Sequence, residues 1–286
     1  MHATGAAASL AAASARPIGV FDSGVGGLTV LSALRARLPS ESFLYLGDTA
    51  RLPYGTKSEH TVVRYALQAA DVLVARDIKC LVVACNTASA VALPAMRERF
   101  ADCPVIGVIG PGARAACAAS VTGRIAVLAT EATVRGGAYQ QAILQLRPEA
   151  RVTSLACGMF VALAEEGWTE GPIALQVAQR YLERLGTGPA LDVDTLVLGC
   201  THFPALAQVI AQAAGPGVQI VDSAATAAAT VEEELAARGL LLAAGSAGPG
   251  GRMRFLATDG PERFAGVGGR FLGAPLSVGD VELVDI

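Results

Sequence analysis

Two stretches of the chain, 81–87 and 195–202, repeat one arrangement. Leu81-Val82-Val83-Ala84 runs into Cys85-Asn86-Thr87, and Leu196-Val197-Leu198-Gly199 runs into Cys200-Thr201-His202. In each, an apolar, strand-like run delivers a cysteine, small polar residues follow, and a helix-like segment comes next. A thiol placed where a buried strand opens into a helix is well sited for ionisation, because a helix N-terminus favours negative charge. Two such thiols, one in each half, would suit a reaction that takes a proton from one face of a carbon and returns it to the other.

Other residues gather near such strand ends. Asp22-Ser23-Gly24-Val25-Gly26-Gly27 closes an apolar run and opens a glycine-rich turn whose amides could hold an anion. Its spacing is not Gly-x-Gly-x-x-Gly, and no lysine completes a Walker loop, so nucleotide binding is disfavoured. Gly47-Asp48-Thr49 through Pro53-Tyr54-Gly55 forms a second strand-end loop, read as a site wall against the alternative of a surface Asx turn. His202, two residues past Cys200, is placed to tune that thiol or carry protons. Glu165-Glu166, taken alone, reads as a solvated helix end. Cys80, Cys103, Cys117 and Cys157 sit among apolar residues and read as packing thiols. Cys80-x4-Cys85 lacks the second pair that a zinc site needs, so no metal is expected.

Eight apolar runs must position these groups: 18–21, 43–46, 81–84, 105–109, 125–129, 152–156, 195–198 and 218–221. They alternate with charge-bearing helices such as 60–77 and 176–185, the βαβ pattern of parallel sheets covered on both faces. The runs form two sets of four offset by roughly 107 to 114 residues, with Cys85 matching Cys200, which marks a duplicated unit. The expected fold is α/β: two similar α/β domains with mostly parallel sheets, pseudo-twofold related, with the active site in the cleft between them. Ligands gather there because strand carboxyl ends meet there. The expected division is a disordered N-terminal tail over 1–16, a first domain of 17–112 plus 222–286, and a second of 113–221. Residues 253–257 and a helix over 261–272 should return to the first half, with 243–251 as a loop.

Bulk properties exclude several classes. A chain of 286 residues can bury a large core, and a net charge of −3 offers no basic field for nucleic acid or an anionic membrane. The hydrophobic fraction of 52% is swollen by alanine, and no long uncharged stretch of large apolar residues could span a bilayer. Aromatic residues, at 5%, are too few for base-stacking platforms. Residues 1–16 carry no early Lys or Arg and read as a tail rather than a secretory signal. Six scattered cysteines point to reduced thiols and a cytoplasmic location.

Taken together, Asp22-Ser23-Gly24, Gly47-Asp48-Thr49, Pro53-Tyr54-Gly55, Cys85-Asn86-Thr87 and Cys200-Thr201-His202 closely resemble the glutamate racemase family, within the cofactor-independent aspartate/glutamate racemase superfamily. The likeness runs in order over residues 18–272, with two departures: Gly158 and Ala162 stand where the family usually carries proline. The resemblance implies interconversion of L- and D-glutamate, supplying D-glutamate for peptidoglycan in the cell wall. It implies no cofactor; the chain's only lysines, Lys57 and Lys79, lie in no recognisable pyridoxal phosphate motif.

By that resemblance Cys85 takes the proton from D-glutamate and Cys200 from L-glutamate. Asp22 assists Cys85, with Asp48 as a helper, while His202 and Glu165 assist Cys200. Asp22, Ser23, Asn86, Thr87, Thr133, Thr201 and His202 hold the amino and carboxylate groups, and the Pro53-Tyr54-Gly55 backbone lies near the side-chain carboxylate. The implied partner is a small molecule, L- or D-glutamate, with no nucleic acid and no membrane; a homodimer is left open beside a monomer. Two other readings stand: an aspartate racemase or related two-thiol isomerase, and a non-catalytic binding protein with two α/β halves. The second would not need thiols in equivalent places.

Overall fold

Runs rich in Val, Ile and Leu suit strands buried on both faces, and such strands pair in parallel when helices cover them. The computed structural model describes residues 12–186, 191–242 and 251–286. Strands β1 (Ile18–Asp22), β2 (Phe43–Gly47), β3 (Cys80–Val83), β4 (Val105–Gly107), β9 (Met253–Ala257) and β10 (Val281–Leu283) form one sheet in the order β10-β9-β2-β1-β3-β4. Strands β5 (Arg124–Ala129), β6 (Arg151–Ala156), β7 (Thr195–Gly199) and β8 (Gln219–Asp222) form the other, ordered β6-β5-β7-β8. Every pairing is parallel. The first four strands and the next four follow the same spatial order, so the repeat in spacing is a repeat of topology.

Four details differ from the sequence reading. Residues 12–16 of the expected disordered tail are ordered, with 12–14 helical and the Ser14 carbonyl accepting from Lys79 Nζ at 2.6 Å. The run 105–109 is a strand only to Gly107, and Ile109 opens the helix Ile109–Ala119. That helix spans the expected join at 112/113 and packs Ile109, Ala113 and Ala116 with Ile125, Val127 and Val197 of the second sheet. Strand β10 was not expected, and its residues are half-buried or exposed, so no buried apolar run marks it. Strand β9 pairs with β2 and returns the chain to the first sheet, as expected. Residues 1–11 of the expected tail and 243–250 of the expected loop lie outside the described residues. Among the described residues no helix is long and apolar enough to cross a membrane.

Packing, more than charge, joins the two sheets. One cluster runs from Leu31 and Leu34 of the helix Leu28–Arg37, through Ala227 and Val231 of the helix Ser223–Ala237, to Leu196 and Leu198 of β7. Each fully buried Val or Leu contributes about 1.5–3 kcal/mol. A half-exposed ion pair such as Arg37–Glu232 contributes at most about 1 kcal/mol. This shared core sets the interior strands β1, β3, β5 and β7 so that their carboxyl ends present Ser23, Cys85, Thr130 and Cys200 to one cleft.

Candidate active site

The two thiols are held differently. Cys85 caps the helix Asn86–Val91: its Sγ accepts the Ala88 N–H at 3.4 Å and lies 3.5 Å from Ser23 Oγ at the end of β1. Burial, with the nearby Asp22 charge, nevertheless pushes this thiol up to about 12, against the pull of the Ser23 and Ala88 hydrogen bonds. The Ala88 N–H at the helix N-terminus favours the thiolate, as the sequence implied, but burial opposes it more strongly. Cys200 is followed by a 3-10 turn, Phe203–Leu206, and the α-helix starts only at Ala207. Pro204 lies in that turn and supplies no N–H.

On this side a histidine takes the place of the helix. His202 Nδ1 lies 3.9 Å from Cys200 Sγ, and its Nε2 lies 3.1 Å from Glu165 Oε1. Burial works to lower the His202 pKa. The hydrogen bonds to Cys200 and Glu165, with the charges of Cys200 and Asp22, outweigh it and raise the value to about 10. The hydrogen bond from His202 leads the causes that hold Glu165 below its usual range, opposed by burial and helped by Arg263.

The glycine-rich turn serves close approach between the two halves. A Cβ on Gly26 would collide with His202 Nδ1 and Thr201 Oγ1, and Thr29 Oγ1 donates to the Thr201 carbonyl at 3.1 Å. Asp22 is fully buried behind this turn, with Oδ2 accepting the Gly24 N–H at 3.0 Å and Oδ1 unpartnered among the described residues. Burial raises its pKa, against the His202 charge and the backbone N–H groups of Gly27, Gly24 and Ser23. Asp48 accepts from Tyr54 Oη (2.5 Å), Arg51 Nε (2.7 Å) and Thr258 Oγ1 (2.9 Å), so it anchors the Tyr54 wall.

A cavity of about 550 Å³ lies between the halves. Its lining brings together Cys85, Cys200, His202, Glu165, Ser23, Pro53, Tyr54, Gly55, Asn86, Thr87 and Thr201. Asp22, Asp48 and Thr133 stand outside that lining; Thr133 Oγ1 reaches Thr87 Oγ1 (3.1 Å) and Thr130 Oγ1 (2.9 Å). Gly158 and Ala162 line the cavity, and Glu165 reaches His202 without the prolines the family usually carries there. Neither Lys57 nor Lys79 lines it, and Lys79 is buried in an ion pair with Glu41. Burial pushes Cys157 up to about 12, as suits a packing thiol.

Sequence reasoning missed Thr130 and Tyr139, and read Gly26 as part of an anion-holding turn where the structure has it meeting His202. Thr130 follows β5 as Ser23 follows β1, so the internal repeat carried a signal for it. Tyr139 Oη donates to Asn86 Oδ1 at 2.7 Å, leaving Asn86 Nδ2 without a partner among the described residues. Nothing in the local sequence marks that contact.

Residues 28–231 match the profile of the Asp/Glu/Hydantoin racemase family. The chain belongs to that family. Among its relatives, the glutamate racemase of Geobacter metallireducens is 50% identical over 95% of this chain and 97% of its own length. Solved structures of racemases superpose on nearly the whole chain. Glutamate racemase from Francisella tularensis in complex with D-glutamate is 36% identical, with a TM-score of 0.86 over 95% of this chain and 98% of that one. The Thermus thermophilus enzyme in complex with beta-chloro-D-alanine is 43% identical, with a TM-score of 0.83 over 96% and 98%. Membership in this racemase family sets aside the non-catalytic binding protein.

Two outcomes follow from the geometry. Gly26→Ala should displace His202 and Thr201, costing about 1–3 kcal/mol in stability through overpacking and roughly 10²-fold in turnover through misplacement. Thermal unfolding and racemisation assays on one preparation check both. The raised His202 pKa contributes stability that is full below the ordinary 6.5 and lost as pH rises through about 10. His202→Asn should therefore flatten the fall in Tm across that window; an unchanged slope would show that His202 is not held charged.

Proposed function

We propose that this chain is a glutamate racemase that interconverts L- and D-glutamate by passing the Cα proton between two thiols, without a cofactor. The observation that carries the reading is that Cys85 and Cys200, at equivalent strand ends of a duplicated unit, line one cavity. On this reading the lobes are 17–112 with 222–286 and 113–221, and the substrate lies between them. Curated relatives named glutamate racemase at 43–50% identity favour glutamate over aspartate. The product D-glutamate would serve peptidoglycan synthesis in the cytoplasm.

The Cα–H of an amino acid is a very weak acid, so the cleft must stabilise negative charge developing at the carboxylate and Cα. Asn86 offers its unpartnered Nδ2, and Thr87, Thr201 and Ser23 offer hydroxyls, as donors to the α-carboxylate or partners of the ammonium. Thr133 supports Thr87 from behind. The Pro53-Tyr54-Gly55 wall, anchored through Asp48, faces the side-chain carboxylate. Cys85, with Asp22 behind it, removes the proton from D-glutamate while Cys200 supplies one to the other face. Cys200, with His202 and Glu165, does the converse for L-glutamate.

Purified protein incubated with D-glutamate in heavy water, with no added cofactor, should lose optical rotation and incorporate deuterium at Cα. Activity that hydroxylamine abolishes and pyridoxal phosphate restores would sink the mechanism. Enantiomers have equal free energy, so kcat/KM must stay equal in the two directions for any variant, and a one-way reaction is needed to separate the thiols. N-hydroxyglutamate provides one: loss of the Cα proton forms C=N as the N–O bond breaks, giving an imine and water. Cys85→Ser and Cys200→Ser should each lose racemisation by roughly 10²–10⁴, as for loss of a positioned acid/base group. Cys200→Ser should still process the D form and Cys85→Ser the L form. Equal processing of both forms by either variant would mean that one thiol serves both faces.

A further inference from the structure

The helix Pro261–Leu272 follows β9 of the first sheet, yet one of its faces meets the acid/base pair of the second half. Arg263 Nη2 donates to Glu165 Oε2 at 2.7 Å, and Arg270 Nη1 donates to the Glu165 carbonyl at 2.8 Å. Phe271 packs edge-on against the His202 ring, with centroids 5.1 Å apart. Residues 263 and 270 are seven apart, two helical turns, and so lie on the same face. Gly167, at φ +76°, has no Cβ to obstruct Arg270, whose Nη1 would lie 2.7 Å from such an atom.

We propose that Arg263 is a positioning residue for the Cys200 half of the reaction, fixing the Glu165 carboxylate so that Oε1 stays on His202. The inference rests on the two-thiol reading above.

Arg263 is 61% exposed, so its ion pair contributes little to stability. Glu165 is only 17% exposed, and both its oxygens are taken, Oε1 by His202 and Oε2 by Arg263. With Arg263 removed, Oε2 would turn towards water and the carboxylate would leave His202 for part of the time. Among the described residues the Cys85 thiol is held by Ser23 and the Ala88 N–H, not by a side chain of this helix. One lobe thus braces the proton relay of the other, and the brace engages only when this helix and Glu165 are together.

The groups facing Glu165 are His202 from the loop after β7 and Arg263 and Arg270 from the last long helix; Glu166 on its own helix is exposed. His202 is faced in turn by Cys200 and by Asp22 from the loop after β1. Losing the Arg263 cation should let the Glu165 pKa rise, moving the acid limb of the Cys200 half-reaction to higher pH.

The test uses Arg263→Gln and N-hydroxyglutamate in its L and D forms. Elimination from the L form should slow roughly three- to tenfold, the equivalent of about half to one pKa unit in the Glu165–His202 pair. Elimination from the D form should stay at the wild-type rate, which also reports that the variant is folded. The acid limb of the L-form profile should move up in pH and that of the D form should not. Equal loss on both forms, or no loss and no shift on the L form, overturns the role of Arg263. A wild-type protein that eliminates neither form fails the two-thiol reading itself, and the inference falls with it.

Discussion

The Glu165–His202 contact, made within the second half, is the constraint around which the first half packs. An imidazole this deeply buried would ordinarily be neutral, because burial penalises the charged form. Here its pKa is raised instead, because Cys200 and Glu165 occupy its two nitrogens. Both partners must be held at hydrogen-bonding range while water is kept away, which demands tight packing around the ring. Gly26 brings backbone where no side chain would fit, Thr29 ties to the Thr201 carbonyl, and Phe271 covers one edge.

The Cys85 side meets the same difficulty with different means. A capped helix and a serine neighbour do not offset burial beside a carboxylate, and the Cys85 pKa is raised. On the proposed reading, the ammonium of a bound amino acid brings the positive charge that this side lacks. The Cys200 side instead has His202, whose pKa is raised by its hydrogen bonds to Cys200 and Glu165.

The strand positions, the duplication and both thiols were legible because each rests on local pattern: apolar runs of fixed length and a cysteine at the end of two of them. The five motifs named most of the cavity lining for the same reason. Asp22 and Asp48 were placed in the right region, but their side chains stand behind the lining, a difference of depth that spacing along a strand does not encode. Gly26 was read as part of an anion loop because a glycine-rich turn looks the same whether it faces a phosphate or a neighbouring imidazole. Tyr139 and Arg263 could not be found from sequence, since each contacts a residue far along the chain from a helix face without a distinctive pattern.

Duplication accounts for the placement of the two thiols and leaves their chemistry unequal. The repeated units supply the same strand order and the same strand-end cysteine. The residues around them diverge: a helix cap and a carboxylate on one side, a histidine and a glutamate on the other. Divergence is what the reaction requires of a chiral catalyst. L-amino acids cannot build a mirror image of their own site, so the two faces of a bound Cα must be met by different surroundings. The equal free energies of the enantiomers constrain only the ratio of kcat/KM values. Each thiol can therefore have its own proton affinity and its own supporting groups, provided that the path through both is the same in either direction.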